Sequence, residues 1–139
     1  MHLGKTIPAL PVKDMVAAVT CYRDRFGFTV RHQDTGFAVL LRNDAEIHLW
    51  ESSDRDWEQR DCLERPVRSG AESFLAGTAS CRIEVDDVDA LYAELKAAGV
   101  LHPVSRDAVM DTDFGTREFA TLDVDGNLIS FFRWIRPRT

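Results

Sequence analysis

His48 and Trp50 fall on one face of the alternating stretch Ala45-Glu46-Ile47-His48-Leu49-Trp50-Glu51, with Ile47 and Leu49 on the other. An imidazole beside an indole could serve two kinds of chemistry. One is metal binding, for which Glu46, His102 and Glu118 are further candidate donors; a protein-held divalent metal generally wants three good N or O donors, with its other positions open. The other is recognition of a flat molecule by stacking. For that the chain offers Phe37, Trp50, Phe114 and Phe132 as rings, and His48, Arg82, Glu84 and Ser130 as polar groups that could orient a ligand. Covalent catalysis has no poised Ser/His/Asp or Cys/His set to work with. Three cysteines, Cys21, Cys62 and Cys81, form no CxxC pair and are an odd count, which speaks against a disulfide framework or a Cys-ligated zinc. Cys21 and Cys81 read as small buried hydrophobes, whereas Cys62 lies in a polar segment. With 17 Lys and Arg against 23 Asp and Glu, the formal net charge of −6 offers nothing to neutralise phosphates, so nucleic acid is not an expected partner. An acidic field favours a cationic ligand, with Glu84, Asp111 and Asp113 as carboxylates that could meet it.

The strands that carry these groups alternate in a readable way. Ala79, Cys81, Ile83 and Val85 form an apolar face, leaving Ser80, Arg82 and Glu84 on the other. Near the C-terminus, Ile129 and Phe131 point inward, and Ser130, Phe132 and Trp134 point away. In the first strand, Pro8, Leu10 and Val12 are expected toward the helices, with Ile7, Ala9 and Pro11 opposite. The face away from the helices therefore mixes Trp50, Phe132 and Trp134 with His48, Arg82, Glu84 and Ser130. That is more aromatic surface than a solvated sheet face carries, and it fits a ligand cup or a face closed by a second subunit or by the other module.

Internal repetition organises the whole chain. The stretch Phe37–Glu51 lies without a gap on Phe119–Arg133, and Pro11-Val12-Lys13-Asp14 followed by a helix and Gly27 matches Glu84-Val85-Asp86-Asp87 followed by a helix and Gly99. Asp14 and Asp87 stand at N-cap positions. Met15, Val19, Tyr22 and Phe26 recur at helical spacing after the first, as do Val88, Leu91, Leu95 and Ala98 after the second. Gly27 and Gly99 end the helices, and Asn43-Asp44 and Asp125-Gly126 are hairpin turns. The expected architecture is α+β: a single domain over 1–139, with one βαβββ module at 5–51, a charged connection at 52–77, and a second module at 78–135. At 139 residues and 45% hydrophobic content the chain suits one globular domain. No apolar run approaches the roughly 20 residues of a membrane span. Met1-His2-Leu3-Gly4-Lys5 leads into the first strand without a signal-peptide core, so a cytoplasmic location is expected and no membrane partner.

Several segments resemble one family. Val85-Asp86-Asp87-Val88-Asp89-Ala90-Leu91-Tyr92 is similar to the "VDDVDALY" strand-to-helix signature of the glyoxalase/bleomycin-resistance (vicinal oxygen chelate) superfamily. Leu122-Asp123-Val124-Asp125-Gly126-Asn127-Leu128-Ile129 resembles its "LDPDGNLI" hairpin, with Val124 in place of proline. Tyr22-Arg23-Asp24-Arg25-Phe26-Gly27-Phe28 resembles the "FYRDxLGF" end of its first helix. The resemblance implies a cupped mixed sheet with the helices on its outer face. It also places the metal-ligand positions of the family's enzymes at Ile7, His48, Ser80 and Ser130. One imidazole, two hydroxyls and an isoleucine make a poor ligand set, so no metal or other cofactor is expected.

The resemblance extends to the non-catalytic, bleomycin-resistance branch in Phe37-Ala38 and in Gly115-Thr116-Arg117-Glu118-Phe119-Ala120, near that branch's "WGREFA". Phe114 stands where the motif has its tryptophan, and Phe37 matches a cleft aromatic. Arg82 departs from a cleft tryptophan and His32 from another cleft aromatic, with Trp50, Trp57 and Phe132 available to compensate. What this implies is stoichiometric sequestration of a planar, cationic antibiotic in clefts shared by two subunits of a homodimer. Pro8 and Pro11 flank the first strand, and the resemblance includes exchange of N-terminal strands between subunits. Two other readings stay open: a metal-dependent lyase, isomerase or dioxygenase using His48, Glu46, His102 and Glu118, and a carrier or sensor of a metabolite.

Overall fold

The computed structural model describes residues 1–52 and 75–136, so Trp57, Cys62 and most of the expected 52–77 connection lie outside the described residues. The elements run β1 (Ala9–Val12), α1 (Met15–Asp24), β2 (Thr29–Gln33), β3 (Phe37–Arg42), β4 (Ala45–Glu51), then β5 (Ser80–Glu84), α2 (Val88–Ala98), β6 (Met110–Asp111), β7 (Thr116–Leu122) and β8 (Leu128–Trp134). They build two four-stranded mixed sheets with the same topology, β1-β4-β3-β2 and β5-β8-β7-β6. In each, the first strand pairs in parallel with the last and the other pairings are antiparallel. The α+β βαβββ repeat expected from the sequence is the observed fold.

Local chemistry sets the helix ends. The Asp14 carboxylate accepts from the Ala17 amide at 3.1 Å and Asp87 from the Ala90 amide at 3.0 Å, each satisfying a donor the helix leaves unpaired. Gly99 closes α2 in the left-handed region, at φ 76°. Alternation then sorts the strands. Leu10, Val12, Ala38, Leu40, Ile47 and Leu49 are buried under α1, and Phe119, Ile129 and Phe131 lie in the same continuous core. Tyr22 and Phe26 join the halves, with the Phe26 ring 6.5 Å from that of Phe131. Among the described residues, no helix is long and apolar enough to cross a membrane.

Two expectations need correction. Ile7 and Pro8 precede β1 rather than belonging to it, and Pro11 is buried. β1 pairs in parallel with this chain's own β4, with Ala9 opposite His48. The gapless match of the halves slips by one residue. Leu40 pairs with Ile47, but Thr121 pairs with Ile129, because Asn43-Asp44 closes the first hairpin in two residues whereas 123–127 connects β7 to β8 in the second. A one-residue shift in a strand exchanges its faces. Glu118, opposite Phe132, is therefore the counterpart of Phe37, opposite Trp50, while Phe119 turns into the core.

Candidate ligand-binding faces

The side chains that leave the core on the first sheet gather around Phe37. Its ring lies 4.7 Å from Trp50, 5.1 Å from His48 and 5.9 Å from His32, centroid to centroid. Val39 explains the grouping, since it pairs with His32 on one side and His48 on the other, putting both imidazoles in one row across the sheet. Each imidazole meets a carboxylate two residues away: His48 Nε2 to Glu46 Oε2 at 2.7 Å, and His32 Nε2 to Asp34 Oδ2 at 2.9 Å. Lys5 donates to the other Glu46 oxygen at 3.0 Å, and the hydrogen bonds from Lys5 and His48 hold the Glu46 carboxyl below its usual range.

The equivalent face of the second sheet is polar where the first is aromatic. Arg82 donates two hydrogen bonds to Glu118, at 2.8 and 3.3 Å, and its guanidinium carbon lies 4.7 Å over the Phe132 ring. Thr116 donates to Glu118 Oε2 at 2.8 Å, and Arg82 with Thr116 holds that carboxyl below its ordinary range. Trp134 meets Phe132 edge-on at 5.8 Å, Ser130 stands opposite Arg82 in the ladder, and Glu84 is exposed opposite Phe132. Phe114 sits in the connection before β7 and is 60% exposed. That connection is tied to the end of β8, because the Ile135 amide donates to Gly115 O and Arg136 to Asp113 O.

The residues singled out from the sequence thus divide between two sheets: Phe37, His48 and Trp50 on one, Arg82, Glu84, Ser130 and Phe132 on the other. Asp111 is engaged by Arg117 at 2.8 Å, so it is not the open carboxylate expected. Sequence reasoning missed the pairing of Glu118 with Arg82, because the gapless repeat assigned Glu118 no place on this face.

A divalent metal does not fit the positions where the fold's enzymes hold one. Ile7 has no donor atom, Ser80 and Ser130 bring only hydroxyls, and the His48 ring nitrogen Nε2 is already bonded to Glu46. The displaced set is scattered. Glu118 is held by Arg82, and His102 Nδ1 accepts from the Val104 amide at the start of a short 3-10 turn. Among the described residues no three His, Cys, Asp or Glu side chains cluster to hold a metal. Burial pushes the Cys81 thiol up to about 11 and also raises Cys21, so neither is a ready thiolate.

Two βαβββ modules in tandem, each a mixed sheet backed by one helix, define the class. Residues 2–131 match the profile of the Glyoxalase/Bleomycin resistance protein/Dioxygenase superfamily, and the chain belongs to it. It is 50% identical over 132 residues to the bleomycin resistance protein of Geobacillus stearothermophilus, covering 95% of this chain and 98% of that one. The bleomycin resistance protein of Staphylococcus aureus matches at the same identity and coverage. Among solved structures, the bleomycin-binding protein from bleomycin-producing Streptomyces verticillus, complexed with copper(II)-bleomycin, superposes with a TM-score of 0.68 at 26% identity, covering 94% of this chain and 96% of that one.

Proposed function

We propose that this protein binds and sequesters a bleomycin-like antibiotic, planar and cationic, without converting it chemically, and so confers resistance in the cytoplasm. The observation that carries the reading is the aromatic surface around Phe37, which a chain 50% identical to bleomycin resistance proteins presents away from its core. Stacking on rings supplies affinity for a flat ligand, and the net charge of −6 attracts a cation. The site comprises Phe37, His48 and Trp50 from the first sheet, Arg82, Glu84, Ser130 and Phe132 from the second, and Phe114 from the connection before β7. In a homodimer, the first-sheet face of one protomer meets the second-sheet face of its partner and the ligand lies between them. Sequestration needs no nucleophile and no metal held by the protein.

Isothermal calorimetry with bleomycin tests this. Saturable binding at one drug per chain is expected, with the drug recovered unchanged after denaturation. Absence of heat and of any thermal stabilisation at a hundredfold drug excess would overturn it, since binding to the native state alone must raise stability.

A further inference from the structure

Arg82 is held at one end by a carboxylate and lies over an aromatic ring. The terminal nitrogens Nη1 and Nη2 are held by the two Glu118 oxygens, and the guanidinium carbon sits over Phe132. A guanidinium is planar, and a bidentate carboxylate fixes its orientation. Its side chain is still 46% exposed. With Phe132 on one side and Glu118 at its end, the guanidinium keeps that exposure for a ligand. Glu118 is in turn fixed by the Thr116 hydroxyl, so the platform has a built support.

We propose that Arg82 is a specificity-determining residue that acts as a stacking surface for the ligand's flat heteroaromatic part, completing a layered stack of Phe132, guanidinium and ligand ring. The inference rests on the sequestration reading and assigns this residue its role within it. Glu118 compensates the charge and takes two of the five N–H donors of Arg82, so ion pairing to a ligand anion is disfavoured while stacking is not. The pairing also has an electrostatic consequence. Arg82 and Glu118 are neutral together, so a positively charged drug is not repelled from the platform as it would be from a lone guanidinium. Glu118 is a positioning residue, acting on the ligand through Arg82.

The two roles separate cleanly by substitution. R82K keeps the charge and loses the plane, whereas R82W keeps a plane and loses the charge. With bleomycin as the probe, a stacking surface requires R82K to bind about tenfold more weakly than wild type, and R82W to stay within about threefold. E118Q leaves the guanidinium charge uncompensated, so its binding should weaken and should recover as salt rises. Far-ultraviolet circular dichroism and thermal melting of each variant report whether the fold is kept, which is expected for a side chain this exposed. If R82K binds like wild type while R82W loses binding, Arg82 works as a charge or donor and the inference is overturned, with the sequestration reading intact. If wild type binds no bleomycin, both fall together. Should R82W fail to fold, R82K and E118Q decide: undiminished binding by both would overturn the platform.

Discussion

Phe114 and Phe131 carry the same side chain to opposite fates. Phe131 is 4% exposed, stacked on Phe119 at 5.4 Å, whereas Phe114 projects from a connection at 60%. Replacing Phe131 by alanine removes a filled core volume and should cost about 3–5 kcal/mol, read from urea denaturation. Replacing Phe114 by alanine should leave the denaturation midpoint nearly unchanged and weaken bleomycin binding roughly tenfold, the factor that about 1.4 kcal/mol represents. Unaltered binding by this variant would remove Phe114 from the site. The same scale governs metal. Because His48 faces a carboxylate rather than two further donors, elemental analysis of the purified protein should find no stoichiometric Mn, Fe, Ni or Zn. One tightly held metal per chain, lost in H48A, would restore the enzymatic reading.

Between β7 and β8 the connection 123–127 does more than reverse the chain. Asp123 accepts from the amides of Asp125 and Asn127, and from the Tyr22 hydroxyl of α1 at 2.8 Å; burial and Asp123 together push that phenol well up. Asn127 donates to Pro11 O at 2.8 Å and accepts from the Ala79 amide at 3.2 Å, so one fully buried amide ties the turn to β1 and to the residue that leads into β5. N127A leaves both of those backbone groups without this partner. Each such loss costs about 1–3 kcal/mol, and the variant should lose at least about 2 kcal/mol by chemical denaturation. Asp125 supplies a pH signature. One of its oxygens is buried without a partner, and burial raises its pKa. A carboxyl whose folded pKa lies above the unfolded one favours the fold at low pH, and that contribution is lost as pH rises from the ordinary carboxylate value through the raised one. D125N keeps an oxygen for the Lys13 amide and removes the buried charge. Its melting temperature should therefore exceed that of wild type at pH 7, with the difference shrinking toward pH 4. A difference that grows on acidification contradicts this assignment.

For the whole molecule, the two modules are joined by shared burial and by Arg42, which donates to Phe26 O at 2.7 Å and pairs with both Glu94 oxygens. The faces away from the helices remain open in the single chain, with Ile7, Trp50, Met110, Phe114 and Trp134 all exposed. Large apolar side chains left in this way are what a second subunit covers. Light scattering at micromolar concentration should report a dimer. A monomer that nevertheless binds bleomycin would refute the shared cleft and leave each face to act alone.

Periodicity was enough to specify the two modules, the inward residues of β4, β5 and β8, the capping aspartates and the left-handed Gly99, because each depends on side chains a few positions apart. The aromatic character of the Phe37 face was legible for the same reason: alternation in β4 alone puts His48 and Trp50 together. What alternation could not supply was register between strands. A repeat aligned without a gap put Phe119 where Phe37 stands, and only the longer connection at 123–127 shows that Glu118 holds that place and meets Arg82. The division of the site residues between two sheets was equally hidden, as was the joining of Tyr22, Asp123, Asn127 and Pro11 across more than a hundred positions. These depend on how separate strands and helices dock, which packing in three dimensions decides and local spacing does not encode.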